Sequence, residues 1–235
     1  MSTNREIVSL TNVIKNYGHG EIITKALQEI NLKINQGDYS VVMGPSGCGK
    51  STMLNVIGGL DRATSGEVKF DGKDFNSLSN KELSIIRRNQ IGFVFQNYNL
   101  LPVLTAYENA EYVLMLQEMP VSQRKEKVMH FFKEMGLDGL ENRLPRELSG
   151  GQQQRVAIAR AVVSDPLLVL ADEITANVDS ETAQSLLLLM EKLNKINKTT
   201  FLISTHDPAV IKFAKKVIVL KDGRIDKEEL SSENI

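Results

Sequence analysis

YSVVMGPSGCGKST, residues 39–52, is the stretch that decides the fold. Its apolar run, 39–43, is typical of a strand covered on both faces, and the pattern G-x-x-x-x-G-K-[ST] follows at 44–51. The glycines allow successive backbone N–H groups to point into one concavity, and the N-terminus of the helix predicted from residue 50 adds positive potential. The sequence therefore predicts a strand, a phosphate-binding loop and a helix, in that order.

We expect this loop to bind a nucleoside triphosphate. Lys50 is predicted to contact the β- and γ-phosphates, and Ser51 is predicted to bind Mg²⁺. A glycine-rich turn without a ligand is the alternative, but both flanking elements are those that the motif requires. The residues predicted to contact the nucleotide here are Gly44, Pro45, Ser46, Gly47, Cys48, Gly49, Lys50, Ser51 and Thr52.

Strand-like and helix-like patterns alternate along the rest of the chain. Alternating apolar and polar residues predict half-buried antiparallel strands at 7–17 and 26–34. More continuously apolar runs predict buried strands at 39–43, 92–95, 167–171, 200–205 and 216–220. Helices are predicted at 50–59, 122–136, 152–164, 180–197 and 208–214. This order predicts an α/β fold, a P-loop NTPase core with a mostly parallel sheet and an N-terminal antiparallel β subdomain.

We interpret residues 1–235 as a single domain with a helical insertion. The segment from about 97 to 160 contains little strand pattern, so we predict a helical subdomain there. It is inserted in an α/β core made of about 1–96 and 161–235. The predicted helix 122–136 has one broad apolar face, which packs against the core or lies on a membrane; we favour the core.

Composition argues against several classes of protein. The formal net charge of −1 argues against a binder of duplex DNA, which normally has a basic face. The single cysteine argues against a disulfide framework. No apolar run reaches the roughly 18 residues that span a bilayer, and the first residues lack the pattern of a secretory signal. We expect any membrane role to come through a partner, and the polar end, 227–235, to be frayed.

The run LLVLADE, residues 167–173, ends in two acids. A buried strand delivers Asp172 to the carboxyl edge of the sheet, beside the phosphate loop in a fold of this kind. We predict that Asp172 binds Mg²⁺, directly or through water, and that Glu173 accepts a proton from the attacking water. A solvated strand end is the alternative, and the neighbouring phosphate loop favours the catalytic interpretation.

Residues 148–161, LSGGQQQRVAIARA, form a second glycine-rich helix start. Ser149 is a good N-cap, and Gly150 and Gly151 leave backbone N–H groups open to an anion. No lysine or metal-binding acid accompanies them. Either these residues only cap their own helix, or they complete a nucleotide site built mainly by another copy of the protein; we favour the second interpretation.

The same stretch resembles the signature sequence of the ATP-binding cassette (ABC) ATPases, and other motifs of that family occur in order. Gln96 in FVFQ resembles the Q-loop glutamine, Asp179 in ANVDS the D-loop aspartate, and His206 in ISTHD the switch histidine. Tyr17 in KNYGHG resembles the aromatic residue that stacks on adenine. The resemblance covers residues 5 to about 225.

This resemblance implies a transport-coupled ATPase that binds ATP and Mg²⁺ in a head-to-tail, ATP-dependent homodimer. Catalytic roles are implied for Lys50, Gln96, Glu173 and His206, and metal binding for Ser51, Gln96 and Asp172. Contacts to the nucleotide are also implied for Tyr17 and Asp179, and from the other chain for Ser149, Gly150, Gly151 and Gln152. By itself, a histidine at this position is more often structural; in the family's arrangement His206 contacts the γ-phosphate and positions Glu173.

The implied partner is an integral membrane permease, which places the chain at the cytoplasmic face of the membrane, with no nucleic acid bound. Residues 93–112 and 54–68 resemble the macrolide-exporting and lipoprotein-releasing cassettes, with the cell-division cassette close by. One alternative is a soluble ABC ATPase acting on DNA or ribosomes. Another is a nucleotide-gated regulatory cassette with little hydrolysis.

Several positions stand apart from the family's pattern. Ile174 follows the acid pair where proline is usual, and Val178 stands where leucine is usual; Ile174 frees φ and adds an N–H donor, which bears on the D-loop geometry. We expect the loop's lysine and the helix N-terminus to favour the thiolate of Cys48, and its alkylation to block nucleotide binding. His19 and His130 match no motif and are interpreted as surface or packing residues.

Overall fold

The computed structural model describes residues 5–19 and 22–230. The strands are β1 (Glu6–His19), β2 (Ile22–Asn35), β3 (Tyr39–Met43), β4 (Ser65–Phe70), β5 (Lys73–Asp74), β6 (Ile91–Val94), β7 (Leu168–Asp172), β8 (Thr200–Thr205), β9 (Lys216–Lys221) and β10 (Arg224–Leu230). The α-helices are α1 (Lys50–Ile57), α2 (Asn80–Gln90), α3 (Ala106–Leu116), α4 (Val121–Glu134), α5 (Gly150–Val162) and α6 (Ser180–Asn197).

The larger sheet has the strand order β10-β9-β3-β8-β7-β6. Its strands from β9 to β6 run parallel, and β10 pairs antiparallel with β9 at one edge. The phosphate loop follows β3, the acid pair ends β7, and His206 follows β8. Because parallel strands end at the same edge of a sheet, the functional motifs meet there.

Side chains of the central strands alternate between two apolar cores. Val42, Leu170 and Leu202 face α1 and the smaller sheet, whereas Val41 and Ile203 face α3 to α6. A strand that is buried on both faces needs apolar residues at successive positions, which explains the continuous runs in the sequence. The predicted α/β fold with a mostly parallel sheet is confirmed.

The smaller sheet is antiparallel and has the order β2-β1-β4-β5. β1 and β2 are the two alternating runs of the sequence, and their inward residues, such as Val13 and Ile30, are fully buried. The predicted antiparallel subdomain is therefore confirmed. The sequence did not predict β4 and β5, which extend it.

Helices α3, α4 and most of α5 lie in the segment that is predicted to be a helical subdomain. The apolar face of α4 packs inward, with Val128, Phe131 and Phe132 buried, which confirms the core-facing interpretation of this helix. The sequence did not predict α3 or the earlier helix α2. The division of the chain at about residues 97 and 160 stays a prediction.

The helix predicted at 208–214 is present as a 3-10 helix, Pro208–Phe213. The prediction of a frayed end from residue 227 was wrong. Residues 227–230 are not frayed but belong to β10, whose backbone pairs with β9; residues 231–235 lie outside the described part.

His130 is exposed, as predicted, and the side chain of His19 lies outside the described residues. Within the described ranges, no helix combines the length and apolar character that crossing a bilayer requires.

Candidate nucleotide site

The phosphate loop connects β3 to α1 and depends on glycine for close backbone approaches. A Cβ atom on Gly44 would lie 2.2 Å from the carbonyl oxygen of Leu220, and one on Gly49 would lie 2.5 Å from that of Ala26. Gly49 also adopts a left-handed conformation, with φ of 108°, at the N-cap of α1. No side chain caps α1, and its first turn contains no acid, so its N–H groups are available to an anion.

A cavity of about 440 Å³ lies over this loop. Its lining includes residues from five of the predicted motifs, and Thr24, Lys25 and Ala26 of β2 complete it. The predicted site residues that line it are Tyr17, Ser46, Gly47, Gly49, Lys50, Ser51, Thr52, Gln96, Glu173 and His206. The tertiary fold therefore brings together residues that are up to 189 positions apart in the sequence (206 − 17).

Lys50, Glu173 and His206 form a connected chain of polar contacts in this cavity. The buried Lys50 Nζ donates to the carbonyl oxygens of Gly44, at 2.8 Å, and Pro45, at 3.1 Å. It also lies 3.2 Å from Glu173 Oε1, while Glu173 Oε2 lies 2.8 Å from Nδ1 of the exposed His206. Glu173 is thereby oriented from both sides, with one oxygen directed to the lysine and the other to the histidine.

The end of β7 is fastened to β8. The Ser204 hydroxyl donates to Asp172 Oδ1, and the Glu173 N–H donates to the Ser204 carbonyl oxygen at 3.0 Å. Glu173 has a left-handed backbone, with φ of 49°. These contacts direct two adjacent acids differently, because Asp172 interacts with the neighbouring strand and Glu173 turns into the cavity.

The segment after Gln96 is held at both ends. The Gln96 carbonyl oxygen accepts a hydrogen bond from Asn177 Nδ2 at 3.0 Å, next to the D-loop. The guanidinium of Arg160, on α5, donates to the carbonyl oxygens of Asn99, at 2.6 Å, and Tyr98, at 2.8 Å. Burial lowers the pKa of Arg160 from its usual value. These contacts connect the Q-loop segment to α5 and to the loop before α6.

The second glycine-rich segment caps α5. Ser149 Oγ accepts from the Gln152 N–H at 3.3 Å, and Gln152 Oε1 accepts from the Ser149 N–H at 2.9 Å. A Cβ atom on Gly151 would lie 2.7 Å from Thr182 Cγ2, on α6. Asp179 caps α6 in turn, and the N–H of Thr182 holds the pKa of that carboxyl below its usual value. None of Ser149, Gly151 and Asp179 lines the cavity of its own chain.

The structure corrects one expectation for the phosphate loop. The side chain of Cys48 is almost fully buried, and burial raises the pKa of its thiol. The positive charge of Lys50 opposes this shift only in part. The thiol form is therefore favoured over the expected thiolate, because desolvation disfavours the charged form.

Both departures from the family pattern lie in packed surroundings. Ile174 is buried in the core beside α5 and α6, and Val178 packs against the same core. Their effect on the D-loop stays a prediction. The sequence analysis also missed Lys15 and Asp61, which contact Tyr17. Lys15 lies two positions before Tyr17 on the same strand, where alternate side chains share a face, so this pair had a local signal. Asp61 is 44 positions from Tyr17, and no local pattern could have found it.

A phosphate loop after one parallel strand, an acid pair ending a second strand and a histidine after a third define a P-loop nucleoside triphosphatase. The family model described as ABC transporter matches residues 27–176. The chain belongs to the ABC transporter family, and it is an ATP-binding cassette of the ATPase class, as the resemblance implied.

Individual relatives agree with this assignment. The ABC transporter ATP-binding protein MJ0796 of Methanocaldococcus jannaschii is 46% identical over 227 residues, which are 95% of this chain and 97% of that protein. The solved dimeric structure of MJ0796 in a post-hydrolysis state, bound to ADP and Pi, matches with a TM-score of 0.90 over 95% of this chain and 98% of that chain.

A macrolide export ATP-binding/permease protein, MacB of Syntrophobacter fumaroxidans, is 41% identical over 95% of this chain. The chain corresponds to only 32% of the length of that protein. The resemblance to macrolide-exporting cassettes is thereby confirmed at the level of sequence similarity.

Proposed function

We propose that the chain hydrolyses MgATP in a head-to-tail homodimer and that this drives a separate membrane permease. One observation carries the proposal. The cavity holds the phosphate loop, the acid Glu173 and the histidine, whereas Ser149 and Gly151 lie outside it. A γ-phosphate in a site of one chain would face water on one side, and charge stabilisation is weak there. A second chain that presents its α5 N-terminus supplies the missing donors.

The lining residues have chemistry that suits hydrolysis. Lys50 can exchange its contact with Glu173 for contacts with the β- and γ-phosphates, which frees Glu173 to accept a proton from water. The 2.8 Å contact between His206 and Glu173 lets the histidine position this carboxylate. Tyr17 also lines the cavity and offers a ring face to adenine.

The proposed magnesium site lies beside the phosphate loop, where Ser51 and Gln96 line the cavity and Asp172 ends the neighbouring strand β7. Ser51, Asp172 and Gln96 offer hydroxyl, carboxylate and amide oxygens, which are the hard ligands that Mg²⁺ takes together with phosphate oxygens. When bound there, Mg²⁺ neutralises charge on the phosphates. The Ser204 hydroxyl holds Asp172 in position for this role.

The relatives support a permease partner and a location at the membrane. The MacB relative combines an ATP-binding part and a permease part in one protein, and this chain corresponds to the ATP-binding share of it. We propose that the permease is a separate chain of the exporting or lipoprotein-extracting type, with the cassette at its cytoplasmic face. A net charge of −1 supports this partner over nucleic acid.

Mixing two defective chains tests the composite site. Lys50→Ala disables the phosphate loop, and Ser149→Asp keeps a good N-cap but places a carboxylate where the partner's γ-phosphate is expected. In a mixed head-to-tail dimer, one site carries both defects and the other carries none. Phosphate release by the mixture should therefore recover to about a quarter of the wild-type rate, since half of the dimers are mixed.

Ser79→Asp is the matched control, because Ser79 also caps a helix and forms a capping box with Glu82. It should leave ATP hydrolysis unchanged. If the mixture releases only the sum of the phosphate released by the two defective chains, the shared site is wrong.

A further inference from the structure

The ring of Tyr17 is held by a small group of charged residues outside the phosphate loop. Lys15 lies two positions earlier on β1, and its Nζ is 4.7 Å from the centroid of the tyrosine ring. The Tyr17 hydroxyl donates to Asp61 Oδ2 at 2.8 Å. Lys15 Nζ donates to the other oxygen of the same carboxylate at 2.7 Å. Lysine, aspartate and tyrosine therefore form a closed triangle, which we call the Tyr17 clamp.

Asp61 is the centre of this clamp. Its Oδ1 also accepts from the Arg62 N–H at 2.8 Å, and Lys15 Nζ reaches the Arg62 carbonyl oxygen at 2.9 Å. Burial alone would raise the pKa of the Asp61 carboxyl, but hydrogen bonds from Lys15 and Tyr17 more than offset this, so its pKa lies below the usual value. The carboxylate is therefore charged at neutral pH, which is the state that holds both partners.

The clamp is attached to the helix that carries the phosphate loop. Asp61 lies in the turn after α1, where its N–H donates to the Asn55 carbonyl oxygen at 3.2 Å. The Thr64 N–H donates to the carbonyl oxygen of Ile14, on β1, at 2.8 Å. A base platform on β1 and a phosphate cradle at the start of α1 are thereby held at a fixed separation.

We propose that Lys15 and Asp61 are positioning residues that hold the Tyr17 ring in place for the adenine of bound ATP. This inference rests on the proposed nucleotide site. Tyr17 lines the cavity and remains 40% exposed, so part of its ring is free to stack. Lys15 Nζ lies over the ring of Tyr17, and Asp61 accepts a hydrogen bond from its hydroxyl. A face of the ring therefore remains for stacking on the base.

Physical reasons support a gain in affinity from this arrangement. A ring that is already fixed loses less rotamer entropy when a base stacks on it, so more of the stacking energy appears as binding. The side chain of Lys15 is only 12% exposed and places its ammonium over the ring, and such cation–π contacts are attractive even at partly exposed sites. Neither residue contacts the phosphates in this scheme, so the effect should depend on the base.

Comparing how the full chain binds two ligands distinguishes a role in positioning the ring for the base from a general effect on the fold. ATP occupies both the base and phosphate positions, whereas inorganic tripolyphosphate occupies only the phosphate position. Lys15→Met and Asp61→Ala should each weaken ATP binding by about three- to tenfold, measured by calorimetry. Tripolyphosphate affinity should stay at the wild-type value, and Lys15→Arg should restore ATP affinity because a guanidinium also stacks on aromatic rings.

A double variant tests whether Lys15 acts through the ring. In the Tyr17→Ala background, Lys15→Met should cause no further loss of ATP affinity. Lys69→Met is the matched control, because Lys69 lies on the same sheet and pairs with Glu67 at 2.7 Å. It should bind both ligands as the wild type does.

Four results would overturn the inference. If Lys15→Met and Asp61→Ala leave the preference for ATP over tripolyphosphate intact, the clamp does not position the ring. If they weaken both ligands equally, or if Lys15→Met adds to Tyr17→Ala, the residues act on the fold and not through the base platform. If the wild-type chain itself shows no preference for ATP, then the base position at Tyr17 in the proposed function is wrong as well.

Discussion

Glu173 illustrates how much a single residue depends on its neighbours. Its two oxygens contact Lys50 and His206, and its backbone takes a left-handed conformation directly after β7. These contacts turn it into the cavity while the adjacent Asp172 bonds to Ser204. The adjacent acids therefore have different surroundings, which is the condition for different roles in one reaction.

We predict that Glu173→Gln abolishes most hydrolysis without preventing ATP binding. An amide cannot accept the proton from water, so phosphate release should fall by at least about a hundredfold. The variant should accumulate as an ATP-bound dimer, which size-exclusion chromatography would detect. Glu126→Gln, at an exposed position of α4, is the control and should behave as the wild type. A Glu173→Gln chain that stays monomeric at saturating ATP would contradict the shared site.

Cys48 gives a second prediction at this scale. Because burial raises the pKa of its thiol, reaction with a maleimide should be slow at neutral pH and should accelerate as pH rises above the usual thiol value. Bound ATP should slow the maleimide reaction further. Mass spectrometry of samples taken over time measures the modified fraction directly, since the chain has one cysteine. The unfolded chain is the control and should react faster; an adduct that leaves ATP affinity unchanged would refute blockage by bulk.

At the scale of elements, close contact between β6 and α5 connects two parts of the site. A Cβ atom on Gly92, in β6, would lie 2.2 Å from the carbonyl oxygen of Ala161, in α5. The same helix begins at the capped Ser149 and carries Arg160, which holds the segment after Gln96. A displacement of α5 therefore changes both the Q-loop segment and the surface offered to a second chain.

We predict that Gly92→Ala destabilises the chain by about 2 kcal/mol or more, because a backbone clash cannot be relieved by moving one side chain. Chemical denaturation would measure the loss of unfolding free energy. Gly139→Ala is the comparison: unlike Gly92, Gly139 has a positive φ, of 80°, but a Cβ atom there would have no heavy atom within 4 Å. Gly139→Ala should lower the free energy of unfolding by only about 1 kcal/mol. Equal stability of the Gly92→Ala and wild-type chains would show that α5 can move freely against β6.

At the scale of the whole molecule, the separation between the cavity and the α5 cap is the basis for the proposed second chain. The cavity and the N-terminus of α5 belong to different parts of the structure, and Ser149 is exposed. A symmetric pair of chains in head-to-tail arrangement brings each cap to the other chain's cavity. Two equivalent sites then form at the same interface.

We predict that ATP turnover by the isolated chain rises faster than linearly with protein concentration. Below the dissociation constant of the dimer, the number of complete sites depends on the square of the chain concentration. Phosphate release should be measured over a dilution series at saturating MgATP. The Ser149→Asp chain is the comparison and should show little release throughout. A wild-type rate per chain that is constant down to the monomeric range would contradict the model of two shared sites.

Much of the fold could be predicted because its signals are local. The buried strands are continuous apolar runs, and the phosphate loop is a contiguous motif. Some missed elements also had local signals: α2 and α3 each begin with a capping box, at Ser79 with Glu82 and at Thr105 with Glu108. The sequence of β10 carried no local signal for a strand, since its residues are mostly charged and exposed. Only backbone pairing with β9 at the sheet edge makes it a strand.

The sequence by itself determined the α/β class, the phosphate loop and the acid pair, because each is encoded by neighbouring residues. The tertiary structure alone decided the Tyr17 clamp, whose Lys15 and Asp61 are 46 positions apart, and the position of Arg160 against the Q-loop segment. It also reversed the expected state of Cys48, since burial is a property of the packed fold and outweighs the attraction of a nearby lysine. Contacts between distant residues, and the desolvation that packing imposes, are absent from any local pattern.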